Sequence, residues 1–220
     1  MKRKLIISLL MTCLLIMGTG CTKNDEDDNK KKDDPIHDVV DDNKQKDDAQ
    51  ANKDVDVSDK LKDGKVELTL YIGYETEDGK AYKKVDALSG EYNAQTFNLG
   101  EQLLAALEAE TGWKLTLADP VHDLKGDGGR RLSFTEESCF VAGPPLPQKD
   151  EYMAYDIVSF TQLVLDSIQK TFDENYNNGG DEGMKLYVSI YDEPIEVEGR
   201  TIPVDVPWNE VQDHVLKSNE

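Results

Sequence analysis

The chain has 220 residues, with 45 Asp and Glu against 25 Lys and Arg, for a formal charge of −20. That balance excludes nucleic-acid binding, which needs clustered Lys and Arg to meet phosphate. It also argues against a protein that lies flat on an anionic lipid surface.

The N-terminus begins with the basic cluster Lys2, Arg3 and Lys4, followed by an apolar run from Leu5 to Met17. The run is shorter than the roughly 20 residues a bilayer core requires. Basic residues, a short apolar stretch and small residues at its end describe a secretory signal peptide over residues 1–20. The segment closes Gly18-Thr19-Gly20-Cys21. A cysteine there resembles the lipobox of bacterial lipoproteins, in which it receives a diacylglycerol and becomes the mature N-terminus. Gly18 stands where that pattern usually has a Leu-like residue, and Gly18-Thr19-Gly20 also suits ordinary signal peptidase. Lipidation of Cys21 is the expectation, because an exposed thiol at an N-terminus is otherwise a reactive liability. The protein is then held on the extracytoplasmic face of the cell membrane by two acyl chains, the threshold for stable anchoring.

With Cys13 lost in the signal and Cys21 modified, only Cys139 remains, so no internal disulfide framework can form. Removing the signal, which holds three bases and no acid, takes the charge from −20 to −23. Residues 21–64 follow as a tether of Asp, Lys, Asn and Gln with no aromatic residue. Such a stretch buries too little apolar surface to offset its ordering entropy, so it reads as disordered. It carries 15 acids and nine bases, which leaves the remaining 65–220 near −17. His37 sits within the tether and is no metal site.

From VELTLYIGY the pattern changes. Val66, Leu68, Leu70, Ile72 and Tyr74 alternate with less apolar residues, the period of a half-buried strand. A turn over 75–80 and a strand from Ala81 to Leu88 complete a hairpin. Asn98 is an N-cap with Glu101 three residues on, and a helix from Leu99 to Glu110 ends at Gly112. Trp113 to Ala118 predicts a short strand, DPVHDLKGDGG a run of turns, and Arg131 to Phe134 another strand. Pro144-Pro145-Leu146-Pro147 is a stiff loop. The clearest helical stripe is Ile157, Phe160, Val164, Ile168 and Phe172. A strand from Met184 to Tyr191 and a hairpin from Ile195 to Val206 close the chain. Strands and helices in this order predict an α/β (α+β) domain over 65–220, with one mixed sheet covered by two helices.

No nucleotide-binding, hydrolase-elbow or zinc-protease motif occurs, so no cofactor or catalytic residue is expected. His122 and His214 lack neighbouring ligands at metal spacings and read as surface histidines. Cys139 heads Cys139-Phe140-Val141 and reads as a small buried hydrophobe. Glu136-Glu137 and Asp150-Glu151 are pairs that a chain so rich in acids contains by chance. Asp173, Asn175 and Asn177 take the first, third and fifth places of a calcium loop, but Asn178 and Met184 replace its glycine and its bidentate glutamate. The segment therefore reads as a polar loop, not a metal site.

The strand LTLYIGY, the helix LGEQLLAALEAETG and the later run VSFTQLVLDSIQKTF, MKLYVSIYD and EPIEVEGRTIPVDVPW together resemble the GerMN domain of sporulation and germination lipoproteins. In that family a helix ending near a Thr-Phe or Thr-Leu pair, here Thr171-Phe172, precedes a strand and a short charged turn. Segment 119–129 and the GPPLP loop lie outside the pattern. The resemblance implies a lipid-anchored domain without catalysis, similar in fold to ring-building modules, whose work is protein interaction. A more basic envelope protein is the expected partner, and the isolated domain is expected to be a monomer. Two other classes stand beside this reading. One is a surface lipoprotein that binds a small ligand or cation. The other is a hydrolase, which would need two carboxylates converging in a cleft.

Overall fold

Alternating burial along one strand organises the domain. In the computed structural model, which describes residues 55–77, 79–124, 129–154, 156–176 and 183–215, Val66, Leu68, Leu70 and Ile72 are each at most 1% exposed. They lie on β2 (Lys65–Thr76), which pairs antiparallel with the two-residue β1 (Leu61–Lys62) on one side and with β3 (Gly79–Glu91) on the other. Helix α1 (Leu99–Thr111) follows. The Asn98 side chain accepts from the Glu101 amide at 3.2 Å, and Gly112 closes the helix at φ 80°, a left-handed conformation that favours glycine. The chain then forms β4 (His122–Leu124), β5 (Gly129–Phe134) and the one-turn α2 (Cys139–Ala142). Next come the long α3 (Ile157–Asn175), β6 (Leu186–Ile190), β7 (Ile195–Val197), β8 (Arg200–Ile202) and α4 (Trp208–Val215).

The domain is mixed α/β, but it is not one mixed sheet under two helices. Among the described residues the strands form three small sheets, β1-β2-β3, β4-β5-β6 and β7-β8, with four helices. The physical reason lies in α3, whose side chains occupy the edge of β2 where a further strand would otherwise pair. Ser167 Oγ accepts from the Gly73 amide at 2.9 Å, and Thr171 Oγ1 from the Tyr71 amide at 2.9 Å. Asn175 Oδ1 accepts from the Thr69 amide at 3.1 Å, while its Nδ2 donates to the Thr69 carbonyl at 2.6 Å. The match is geometric. Four helical residues advance about 6.0 Å and two strand residues about 6.8 Å, so positions 167, 171 and 175 stay in step with 73, 71 and 69. Close approach requires Gly73, since a Cβ there would sit 2.9 Å from Leu163 Cδ1.

Helix α3 is therefore central, not a cover. Phe160, Val164, Ile168 and Phe172 are fully buried, as the stripe predicts, but so are the polar Thr161, Ser167 and Thr171. Gln169 Nε2 donates to the Met184 carbonyl at 2.7 Å, and Asp173 Oδ1 accepts the Met184 amide at 2.7 Å, which fixes the entry to β6. Strands β5 and β6 are parallel, joined by the crossover that contains α3. At the middle of the helix, the buried Asp166 accepts from Trp208 Nε1 at 3.0 Å and from Lys80 Nζ at 2.8 Å, tying α4 and β3 to α3.

Several expectations about elements change. Trp113–Ala118 runs beside β5 through Ala118 N–H to Ser133 and Thr135 N–H to Thr116, but forms only one bridge, Leu117 with Phe134. The expected run of turns contains β4. Residues 55–64, assigned to the tether, belong to the domain. Val57 is 4% exposed, β1 pairs with β2, and Lys60 Nζ donates to the Asn175 carbonyl at the C-terminus of α3 at 3.1 Å. That placement suits a cation at a helix end.

Candidate interaction surface

The bonds from α3 decide what the opposite edge of the hairpin presents. In an antiparallel pair, a residue whose N–H and C=O point away from the neighbouring strand faces one whose groups also point away. Thr69, Tyr71 and Gly73 direct their amides to α3, and their partners in register are Asp86, Lys84 and Tyr82. Tyr82, Lys84 and Asp86 therefore turn their backbone groups outward, and no described residue pairs with them. All are exposed, as is Leu88 on the same face at 52%. One edge of the sheet is sealed by a helix, and the other is open.

The outer face next to this edge is aromatic and cationic. Lys170 Nζ on α3 sits 4.8 Å from the Tyr71 ring centroid and 5.3 Å from that of Tyr82. Lys84 Nζ lies 5.9 Å from the Tyr71 ring and 3.8 Å from Glu174. Such cation–ring contacts hold the lysine stems flat against the sheet. Partial burial, and then the charge of Asp166, push the Tyr82 hydroxyl up to about 12.

Beyond the hairpin an open cleft of ≈ 670 Å³ is lined by Tyr74, Glu75, Lys83, Asp150, Glu151 and Met153. It brings the Asp150-Glu151 pair into a concave site. Glu151 there is not set up as a general acid. Glu151 is held below its ordinary value by a hydrogen bond from Lys83 Nζ, at 2.5 Å, whereas a proton donor near neutral pH needs its carboxyl raised. Glu137, of the other pair, is exposed and bonded to Lys114 at 2.7 Å.

The remaining candidates are dispersed. Cys21, His37 and positions 177–182 lie outside the described residues. His122 is exposed on β4 opposite Arg131, and His214 falls in α4. Of the calcium-like positions, Asn175 is committed to the β2 edge and Asp173 to Met184 and Gln169. Among the described residues no group of three or more His, Cys, Asp or Glu is placed to hold a metal ion. Cys139 is buried at 1% exposure, which pushes its thiol from 9.0 to about 12. The Tyr82–Leu88 edge was missed because its exposure depends on which side of β2 is sealed. One local signal existed: Tyr82 and Leu88 share the polar face of β3 with Lys84 and Asp86. Comparison with family models, with curated proteins and with solved structures gives no match.

Cys139 and Tyr82 predict an alkaline limb of stability. Both stay protonated in the fold at pH values where the unfolded chain ionises. The folded state therefore binds more protons, and stability falls as pH rises from about 9 towards about 12. Denaturant unfolding across that window should show the decline, and Cys139→Ala should flatten its lower part. An unchanged slope in that variant would show that the thiol is not the group responsible.

Proposed function

We propose that the protein is a lipoprotein anchored through Cys21 to the extracytoplasmic face of the cell membrane. Its GerMN-like domain acts as a non-catalytic protein-interaction module of the sporulation and germination type. The observation that carries the interaction reading is the outer edge of β3, where Tyr82, Lys84 and Asp86 hold out unsatisfied backbone groups beside the exposed Leu88. An exposed strand edge is a ready template for pairing with another chain. The order β5, α3, β6 and then the β7-β8 hairpin supports the family resemblance, which rests on that same run. With 65–220 near −17, a basic envelope protein would be drawn in over distance, while the edge contact acts locally.

A photo-crosslinker at Tyr82 of the membrane-borne full chain tests the reading, with one at the exposed Glu136 as control. The expected result is a protein adduct from position 82 and none from position 136. Equal adducts, or none at either position, would contradict it.

A further inference from the structure

From the residues of β3 we infer that its open edge pairs antiparallel with β3 of a second copy, about a two-fold axis through Val85. This rests on the interaction-module reading and names one occupant of that surface.

The register follows from parity and charge. Only residues with outward backbone groups can exchange ladder bonds across the new interface, so even-numbered positions of β3 must face even-numbered positions. With the axis at Val85, Lys84 of each copy meets Asp86 of the other. Tyr82, 38% exposed, meets Leu88, 52% exposed. On the opposite face the half-buried Val85 meets its own copy, and Lys83 meets Ala87. Each outward polar residue then finds an opposite charge, and each exposed apolar residue finds an apolar one. Both kinds of cross-strand pair are stabilising.

Neighbouring registers lack this. Moving the axis to Lys84 sets Lys84 against Lys84, moving it to Asp86 sets Asp86 against Asp86, and moving it to Lys83 sets Lys83 against Lys83. Like charges directly opposite are destabilising. An axis at Ala87 opposes no like charges but sets Asp86 against Leu88 and Lys84 against Gly90. Among these registers only the Val85 axis therefore pairs Lys84 with Asp86, on an edge whose lysines otherwise guard against pairing. Lys84 can turn towards it by giving up two long contacts, one of 3.8 Å to Glu174, half exposed, and one of 5.9 Å to the Tyr71 ring. The pairing is isologous and closes at two copies.

Charge sets the conditions. Two domains near −17 repel over about 30 Å at 0.01 M salt but only about 8 Å at physiological strength. Isolated copies in dilute salt are monomers, and pairing belongs to anchored chains concentrated in a membrane.

Disulfide trapping of the anchored full chain tests the register. At the axis the two Val85 residues form a non-hydrogen-bonded pair, with Cα atoms roughly 4.5 Å apart, within disulfide reach. Val85→Cys should give a covalent dimer under mild oxidation. Lys83→Cys and Ala87→Cys should each give none alone but a dimer when co-expressed. Adding Asp86→Lys to Val85→Cys should reduce trapping roughly ten-fold by replacing two ion pairs with two like-charge contacts. Adding Lys84→Asp as well should restore it. Equal trapping at 83, 85 and 87, or no effect of Asp86→Lys, would overturn the inference. So would absence of any Val85→Cys dimer while the Tyr82 crosslinker captures a different protein, an outcome that leaves the interaction-module reading standing.

Discussion

Replacing Cys21 with Ala is expected to move the protein from the membrane fraction to a soluble or unprocessed form. The apolar run Leu5–Met17 is too short to span, and it ends in small residues directly before the cysteine. Among the described residues no helix is long and apolar enough to cross a membrane. In the proposed lipoprotein, attachment rests on acyl chains, each buried methylene contributing about 0.8 kcal/mol, with two chains needed for stable binding. Loss of the single acceptor removes both, so the effect should be close to complete. Fractionation at high salt, with the processed length read on a gel, checks it. A variant whose signal is removed and which still pellets with membranes would show a different anchor.

The second large effect falls on stability. Asn175→Ala should destabilise the domain by about 2–4 kcal/mol, because it strands both the amide and the carbonyl of Thr69 and one donor bond to Thr171. Asn175 is 2% exposed, so water does not readily replace the lost amide. Asn175→Asp keeps the acceptor for the Thr69 amide but turns a carboxylate towards the Thr69 and Thr171 carbonyls. It should therefore cost nearly as much. Glu108→Gln on α1 is the control. Its carboxylate accepts the Leu115 amide at 3.1 Å, a bond that the glutamine carbonyl can keep, so the change should cost under about 1 kcal/mol. Chemical denaturation of the three variants orders them. If Asn175→Ala costs no more than Glu108→Gln, the helix is not sealing the strand.

How far these features could be read in the sequence depends on whether their causes are local. The β2 alternation, the Asn98 cap, the Gly112 stop and the Phe160–Phe172 stripe are set by neighbours within a few residues, and they appear as expected. Ser167, Thr171 and Asn175 are spaced like a solvent-facing row. Their true partner is the backbone of a strand about a hundred positions away, which no periodicity reveals. The closure of the β1-β2-β3 sheet at the β2 edge follows from that contact and was hidden with it. Helix α4 depends on Trp208 reaching the buried Asp166, again a distant pairing. Residues 55–64 looked like tether because their composition is polar; the buried Val57 and the position of Lys60 at the end of α3 hold them in place. Cys21 is a different case: it lies outside the described residues, and its expected lipidation rests on the residues before it. The open β3 edge has a local hint in Tyr82 and Leu88, but becomes a surface only once α3 has closed the other side.

Amide hydrogen exchange across the hairpin tests the central claim, that α3 seals one edge and leaves the other for a partner. In dilute, low-salt solution the amides of Thr69, Tyr71 and Gly73 should be protected by Asn175, Thr171 and Ser167. Along β3, protection should alternate: Lys83, Val85 and Ala87 slow through their bonds to β2, and Tyr82, Lys84 and Asp86 fast. Slow exchange at Tyr82, Lys84 and Asp86 in the dilute monomer, or fast exchange at Thr69, Tyr71 and Gly73, would contradict the account.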